Sequence, residues 1–158
     1  GLLTTTGGKW TTYRNMAEHA VNQAADLGRL AERPCVTRTL NVHGFHSNPE
    51  RFGALGVYGA DAPAIQDLMR ATPSLAAPLH AQLPYTGAEI VWATRHEMAR
   101  TVEDALARRT RALFLNARAA EAMAPEVARL MAGELGWDSS RQAAEVTEFA
   151  TLAKGYQL

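Results

Sequence analysis

The chain has 158 residues, 47% of them hydrophobic, which is enough for one ordinary domain with a core and argues against a disordered protein. Lysine plus arginine balance aspartate plus glutamate at 16 each, so the overall charge gives no reason to expect binding to nucleic acid or to an anionic membrane. The single cysteine, Cys35, excludes an intrachain disulfide and a zinc site built on paired cysteines. No apolar run approaches the roughly 20 residues of a membrane-spanning helix, so we expect a soluble, cytoplasmic chain.

The first 28 residues predict one strand-turn-helix unit. Residues 2–6 have the β-branched content of a strand, and Gly7 and Gly8 interrupt it. Thr11 or Thr12 can cap the helix that follows, because a threonine hydroxyl can accept a hydrogen bond from a free backbone N–H group. The apolar residues at helical spacing are Tyr13, Met16, Ala17, Ala20, Ala24 and Leu27.

The predicted strand at residues 2–6 has no evident sheet to join. A parallel sheet needs further strand-helix-strand crossovers, and the later sequence supplies none. An orphan strand tends to pair with another copy of the chain or to abandon strand geometry, since unpaired strand edges are unfavourable, and we expect a neighbour to order this one.

Residues 29–53 predict a connector, because proline, glycine and scattered polar residues interrupt any periodic pattern. His43 and His46 form an H-x-x-H pair there, and a metal site would need at least one or two further ligands with fixed geometry. The sequence marks no such ligands, so we predict packing roles for both histidines and no bound metal.

Residues 54–158 predict a compact all-helical domain, because several helix-start signals precede amphipathic stretches. Capping-box spacing, in which a hydroxyl and a side chain three residues later satisfy free N–H groups, occurs at residues 86–89 and 139–142. Gly136 is a natural helix end. The three apolar stripes are Ile90, Val91, Met98, Val102, Ala105 and Leu106; Ala120, Met123, Val127, Leu130, Met131 and Leu135; and Val146, Phe149, Leu152, Ala153 and Tyr156.

The glycine turn is the first candidate for chemistry. Gly8 and Lys9 resemble the end of a phosphate-binding P-loop, but Trp10 stands where that motif has serine or threonine. One interpretation is a turn with no ligand. The other is a ligand site, because two glycines allow close approach to the backbone, the helix-start N–H groups point outward, and Lys9 adds a cation. Such a site suits a phosphate, a carboxylate or an electron-rich carbonyl group of a cofactor.

Residues 95–111 hold the densest cluster of charged residues. Opposite charges stand three or four positions apart, which favours a helix face stabilised by ion pairs. The alternative is an arginine-lined surface for a partner domain, because three arginines within four positions exceed what local pairs need. The interface candidates are Arg95, Arg108, Arg109 and Arg111.

Two segments together resemble one family: TGGKWTTYRNMAEHA, residues 6–20, and RHEMARTVEDALARRTRALFLNARAA, residues 95–120. They are similar to the FAD-dependent, quinone-linked glycerol-3-phosphate dehydrogenases and to the related glycerophosphate oxidases. The resemblance covers essentially the whole chain and implies the C-terminal third of such an enzyme. Residues 1–28 would be the last strand-turn-helix of the FAD-binding domain, residues 29–53 a connector, and residues 54–158 a helical C-terminal domain.

The resemblance implies that Gly7, Gly8, Lys9, Thr11 and Thr12 contribute to the FAD site, with the helix N-terminus directed at the pyrimidine side of the flavin. Lys9 would have a supporting role by stabilising the negative charge of a reduced flavin, and no residue of this chain would be a catalytic acid or base. The implied activity is oxidation of sn-glycerol 3-phosphate to dihydroxyacetone phosphate with FAD, followed by electron transfer to quinone.

The dinucleotide-binding fingerprint of such enzymes, G-x-G-x-x-G, is absent from this sequence. We therefore expect a fragment that by itself neither holds FAD tightly nor oxidises a substrate. Its expected partners are the FAD-binding domain of the parent chain and a second copy in a homo-oligomer, with the parent peripheral on the inner face of the cell membrane. Two alternatives stay open: an oxidase that passes electrons to oxygen, and a helical domain that serves in oligomerisation or domain docking.

Overall fold

The computed structural model describes residues 1–157, and the chain divides into two compact units. The first unit is Gly1–His43, and the second begins at Gly44. Most of the regular structure is helical, which confirms the predicted mainly α fold class. Across the described residues, no helix combines the length and the apolar character that crossing a membrane requires.

The first unit contains one α-helix and no core. A 3-10 turn, Trp10–Thr12, leads into α1 (Tyr13–Leu27), and Gly28 donates its N–H to the carbonyl oxygen of Ala24 where the helix ends. None of residues 1–43 is buried. The large apolar side chains exposed in this unit are Leu2, Trp10, Tyr13, Val21, Leu27, Leu30, Val36, Leu40 and Val42.

The strand predicted at residues 2–6 is not formed, and this segment has no regular secondary structure. A strand is stable only when its backbone N–H and carbonyl groups pair with a neighbouring strand. The sheet found in the described residues contains only strands of the second unit, so residues 2–6 have no such neighbour. The unit is therefore a turn and a helix, and loss of strand geometry is the outcome observed for the orphan strand.

The second unit is helical apart from one hairpin. In chain order it contains a 3-10 stretch (Pro49–Asp61), α2 (Ala62–Ala71), a 3-10 turn (Pro73–Leu75), β1 (Pro78–His80), β2 (Leu83–Thr86), α3 (Gly87–His96), a π-helical turn (Asp104–Arg109), α4 (Ala112–Leu115), α5 (Ala117–Leu135) and α6 (Ser139–Lys154). The antiparallel pair β1 and β2 departs from the all-helical domain expected for residues 54–158. Pro78 and Pro84 lie in these strands, and because proline lacks a ladder donor, it hides the sequence pattern of a strand.

Helix-end signals are confirmed in the second unit, whereas the predicted threonine cap of α1 is not formed, because the Thr12 hydroxyl bonds to the backbone of Lys9 instead of a first-turn N–H group. The capping box of Thr86 and Glu89 is confirmed at the start of α3. α6 begins one residue away from the predicted cap, because Asp138 rather than Ser139 accepts a first-turn backbone N–H, at 2.7 Å. Gly136 follows α5 with a φ of 71°, the left-handed conformation that favours glycine at a helix end.

The first predicted apolar stripe is divided between two elements. α3 ends, Met98 takes a φ of 58°, and a new helical turn begins a few residues later. The carboxylate of Asp104 accepts the backbone N–H of Thr101 at 3.1 Å. Glu145 of α6 accepts the backbone N–H of Val102 at 2.8 Å, across 43 residues of sequence. The carboxylates of Asp104 and Glu145 thus both accept N–H groups at the start of the new helical turn. Because Glu145 belongs to a distant helix, a local pattern cannot predict that the helix breaks here.

α5 is the centre of the second unit's core, where it packs against α3 and α6. Most of its predicted apolar stripe is buried. The largest fully buried side chains include Phe149, Ile65, Ile90, Leu106, Leu113, Met123 and Met131. This core supports the π-helical turn that carries the arginine cluster, because Leu106 of that turn is one of its members.

Candidate functional site

The glycine turn lies just before α1. Gly7 and Gly8 have φ angles of 72° and 119°, a region that favours glycine over residues with a side chain. A Cβ atom on Gly7 would meet no atom within 4 Å, whereas one on Gly8 would lie 2.4 Å from the Met16 Sδ. The backbone at Gly7 is therefore open to the approach of another molecule.

The start of the helix presents unsatisfied donors and a cation at the same place. The backbone N–H groups of Trp10 and Thr11 find no acceptor among residues 1–157, as is usual for the first helical N–H groups. Lys9 is exposed and forms no ion pair with the described chain. Because the positive end of the helix dipole and the ammonium group have the same sign, this end of α1 attracts a negative group.

The two threonines of the turn differ in what their hydroxyls do. The Thr12 hydroxyl donates to the Lys9 carbonyl oxygen at 3.1 Å and accepts the Lys9 backbone N–H at 3.3 Å, so it fixes the turn itself. The Thr11 hydroxyl makes no hydrogen bond within the described part of the chain. Thr11 is therefore available to a ligand, while Thr12 holds the turn in place.

A groove of about 410 Å³ adjoins the turn. Its lining residues are Thr5, Gly7, Gly8, Lys9, Trp10, Tyr13, Met16, Ala17 and Ala20. The rings of Trp10 and Tyr13 stack with centroids 5.1 Å apart, and 84% of Trp10 is exposed. The structure thus brings Lys9, the glycines and the free N–H groups together. They suit a negatively polarised group at the turn and an apolar planar group beside it.

In the second unit, two of the four interface candidates bind other parts of that unit. Arg95 makes two N–O contacts of 2.7 Å with the carboxylate of Glu134 in α5. Arg109 donates to the carbonyl oxygen of Glu97 at 2.8 and 2.5 Å, just after α3 ends. A guanidinium group at a helix C-terminus satisfies free carbonyl groups, so Arg109 caps α3.

The other two interface candidates flank the end of the π-helical turn. Arg108 pairs with Glu103 at 2.5 Å and with Asp104 at 2.9 Å, a local ion-pair arrangement of the kind that the charge spacing favours. Arg111 takes a φ of 60° and is exposed, and its guanidinium makes no hydrogen bond or ion pair with the described residues. Of the four candidates, Arg111 is thus the one whose guanidinium the described chain leaves unpaired.

Arg111 lines a groove of about 540 Å³, which we call the arginine groove. Its other lining residues are Ala54, Val57, Tyr58, Pro84, Tyr85, Glu89, Glu97, Arg108, Arg109 and Thr110. Glu89 is only 5% exposed and accepts hydrogen bonds from the Thr86 N–H at 2.7 Å, the Thr86 hydroxyl at 3.0 Å and the Tyr58 hydroxyl at 3.2 Å. Burial raises the pKa of Glu89, and these hydrogen bonds oppose the rise.

The pKa values of other titratable groups in the arginine groove are also shifted. Burial raises the pKa of Tyr58, and the charge of Glu89 adds to the effect. Burial raises the pKa of Glu97 against the lowering influence of Arg109. The pKa of Tyr85 is raised by burial and by Glu89, while Arg111 lowers it, so Tyr85 senses both charges.

Sequence reasoning did not identify Tyr58 or Glu89 as members of a site. The capping-box spacing located Glu89 at a helix start, but its contact with Tyr58 spans 31 residues and leaves no local signal.

His46 has a local role, because its Nδ1 accepts the backbone N–H of Asn48 at 3.0 Å and its ring packs edge-on against Phe52.

A family model described as the C-terminal domain of alpha-glycerophosphate oxidase matches residues 6–142. The match includes both the glycine turn and the arginine cluster. The chain belongs to this family. No solved structure gives a significant match to the chain.

Relatives of the chain carry glycerol-3-phosphate dehydrogenase names. The chain is 36% identical to the probable mitochondrial glycerol-3-phosphate dehydrogenase of Caenorhabditis elegans, over 96% of this chain and 24% of that protein. It is 34% identical to the mitochondrial glycerol-3-phosphate dehydrogenase of Mesocricetus auratus, over 100% of this chain and 24% of that protein. It is 33% identical to the mitochondrial glycerol-3-phosphate dehydrogenase of Homo sapiens, over 90% of this chain and 22% of that protein. The chain therefore spans about a quarter of the length of these relatives.

Proposed function

We propose that this chain is part of an FAD-dependent glycerol-3-phosphate dehydrogenase that oxidises sn-glycerol 3-phosphate to dihydroxyacetone phosphate and passes the electrons to quinone. The names of the relatives support the activity. The observation that carries the role of this chain is the glycine turn, where Lys9 and two unpaired N–H groups converge beside an open backbone at Gly7. These residues fit a flavin because its pyrimidine ring is planar and electron-rich at its carbonyl groups.

When bound, FAD would supply the hydride acceptor for the C2 carbon of the substrate, and the substrate hydroxyl would lose its proton to a base outside these 158 residues, which would leave the ketone of dihydroxyacetone phosphate. The residues of this chain act on charge rather than on protons. Lys9 and the N–H groups of Trp10 and Thr11 hold positive charge where negative charge gathers on reduction. Gly7 would let the backbone approach the ring, Gly8 leaves room for the Met16 side chain, the Thr11 hydroxyl would be a further donor, and Thr12 keeps the turn in shape.

The glycine turn alone is a small part of a cofactor site, because the nucleotide half of FAD needs a phosphate-binding fold that these residues do not contain. The isolated chain therefore neither binds FAD tightly nor oxidises a substrate. We propose that the parent protein lies peripherally on the inner face of the cell membrane, where it can reach quinone. The relatives named above are mitochondrial enzymes.

A titration of the isolated chain with FAD, followed by flavin fluorescence, tests the incomplete site. We expect no saturable binding below about 10 μM, which corresponds to roughly −7 kcal/mol. Saturable binding below that concentration contradicts the proposal that the rest of the parent protein is needed to hold the cofactor.

An oxidase that uses oxygen is the second candidate, and the description of the matching family model favours it. The two candidates differ in the electron acceptor, on which the glycine turn has no direct influence. Purified full-length protein should be loaded with FAD and given sn-glycerol 3-phosphate with either a soluble quinone or oxygen. Quinone reduction without stoichiometric hydrogen peroxide supports the dehydrogenase, and stoichiometric peroxide identifies the oxidase. Failure to oxidise sn-glycerol 3-phosphate with both acceptors rejects the proposed function.

A further inference from the structure

The backbone at Arg111 is strained for a residue with a side chain. Its φ of 60° and ψ of 17° place it in the left-handed region, which glycine adopts at no steric cost and arginine does not. The backbone of Arg111 begins α4, where its carbonyl oxygen accepts the N–H groups of Phe114 and Leu115, but its guanidinium has no hydrogen-bond or ion-pair partner in the described chain. Residues with a strained backbone are frequent at binding sites, so this unpaired guanidinium is a candidate contact.

A second donor with no partner lines the same groove. The Tyr85 hydroxyl makes no hydrogen bond with the described residues, and Tyr85 lines the groove together with Arg111. The other cations of the groove are already engaged, Arg108 by carboxylates and Arg109 by the Glu97 carbonyl. The arginine groove therefore offers one free guanidinium and one free hydroxyl.

This pair of donors suits a single carboxylate. An arginine fork binds a carboxylate with two parallel hydrogen bonds, and a tyrosine hydroxyl can add a third. A phosphate dianion fits less well, because the carboxyl groups of Glu89 and Glu97 line the same groove and repel a second negative charge. The apolar residue Val57 also lines the groove, and 87% of it is exposed.

We propose that the arginine groove receives an acidic side chain from the part of the full-length protein that lies outside these 158 residues. This inference rests on the proposed function, which makes the chain part of a longer enzyme. The relatives are about four times as long as this chain, so most of such a protein is available as the partner. The carboxylate accepts hydrogen bonds from Arg111 and Tyr85, and a neighbouring apolar side chain covers Val57.

A photo-cross-linker at Val57 in the full-length protein identifies the occupant directly. A photoreactive phenylalanine replaces Val57, the protein is irradiated, and the cross-linked peptides are sequenced by mass spectrometry. Mixing isotopically light and heavy protein separates links within one polypeptide from links between copies. We expect a link within one polypeptide to an Asp- or Glu-containing peptide outside residues 1–158. A link between copies, a link confined to residues 1–158, or no link overturns the proposal.

A pair of glycine substitutions in the full-length protein tests the guanidinium. Arg111→Gly relieves backbone strain but removes the ion pair, so we expect the midpoint of thermal unfolding to fall rather than rise. Met98→Gly is the matched control, because Met98 has a φ of 58° and is exposed, and this change should leave the midpoint unchanged or raise it. A rise with Arg111→Gly equal to that of the control rejects the role of Arg111.

Oxidation of sn-glycerol 3-phosphate by the unmodified protein is measured in the same preparation. Normal oxidation without the expected cross-link rejects the arginine-groove proposal alone. The expected cross-link in a protein that does not oxidise sn-glycerol 3-phosphate rejects the proposed function alone.

Discussion

Removing the Tyr58 hydroxyl tests the buried carboxylate of the second unit. Glu89 accepts three hydrogen bonds, two from Thr86 and one from Tyr58 at 3.2 Å. A hydrogen bond to a charged group contributes roughly 1.5–3 kcal/mol, and a bond longer than the usual hydroxyl distance belongs at the lower end. We therefore expect Tyr58→Phe to lower the free energy of unfolding by about 1.5 kcal/mol.

Urea unfolding followed by tryptophan fluorescence measures this change, and Trp92 reports on it because it packs in the same apolar cluster as Tyr58. Tyr156→Phe is the matched control, since Tyr156 is 50% exposed, and it should cost less than about 0.5 kcal/mol. In a Glu89→Gln background, the cost of Tyr58→Phe should shrink, because the charged acceptor is gone. An equal cost in both backgrounds, or a cost no larger than that of Tyr156→Phe, refutes the reasoning.

Three further changes test the fold in the same unfolding assay. Phe149→Ala should lower the free energy of unfolding by about 3–5 kcal/mol, because Phe149 is only 2% exposed. Phe114→Ala should lower it much less, because Phe114 is 55% exposed. Equal losses would contradict the assigned core. Gly136→Ala should lower the free energy of unfolding by about 1 kcal/mol, because Gly136 has a positive φ. Gly133→Ala should raise it by about 1 kcal/mol, because Gly133 lies inside α5 with open space around its Cβ position. A change of the same sign for both would contradict the assigned helix end. Burial raises the pKa of Glu89 in the folded state, so its contribution to stability is present below the unfolded pKa and is lost as pH rises through the folded pKa. As pH rises above the unfolded pKa of a glutamate, the unchanged protein should therefore lose stability relative to the Glu89→Gln variant, and a relative gain contradicts the raised pKa.

The helices were predictable where a local pattern decides them. The apolar stripes of α5 and α6 repeat at helical spacing, and both helices form with most of those residues facing the core. The stripe after Ile90 was harder, because Glu145 caps the turn at Val102 from a helix 43 residues away. The hairpin was missed because Pro78 and Pro84 disguise its strands.

The candidate sites were predictable to different degrees. The glycine turn follows from Gly7 and Gly8, since positive φ angles and an open backbone are properties of the residue type. The arginine cluster was visible in the sequence, but only the fold separates Arg109, which caps α3, from the unpaired Arg111. The contact of Tyr58 with Glu89 depends on tertiary packing, which no local spacing records.

The reduction potential of the flavin in the full-length protein tests most directly the claim that the glycine turn lies beside the cofactor. Lys9→Met should lower the two-electron potential by about 30 mV, which corresponds to about 1.4 kcal/mol, because the reduced flavin loses a stabilising cation. Lys154→Met is the matched control, since Lys154 is exposed in the last turn of α6 and its loss removes the same charge. We predict a lower potential for Lys9→Met and an unchanged one for Lys154→Met. An unchanged potential for Lys9→Met contradicts the account.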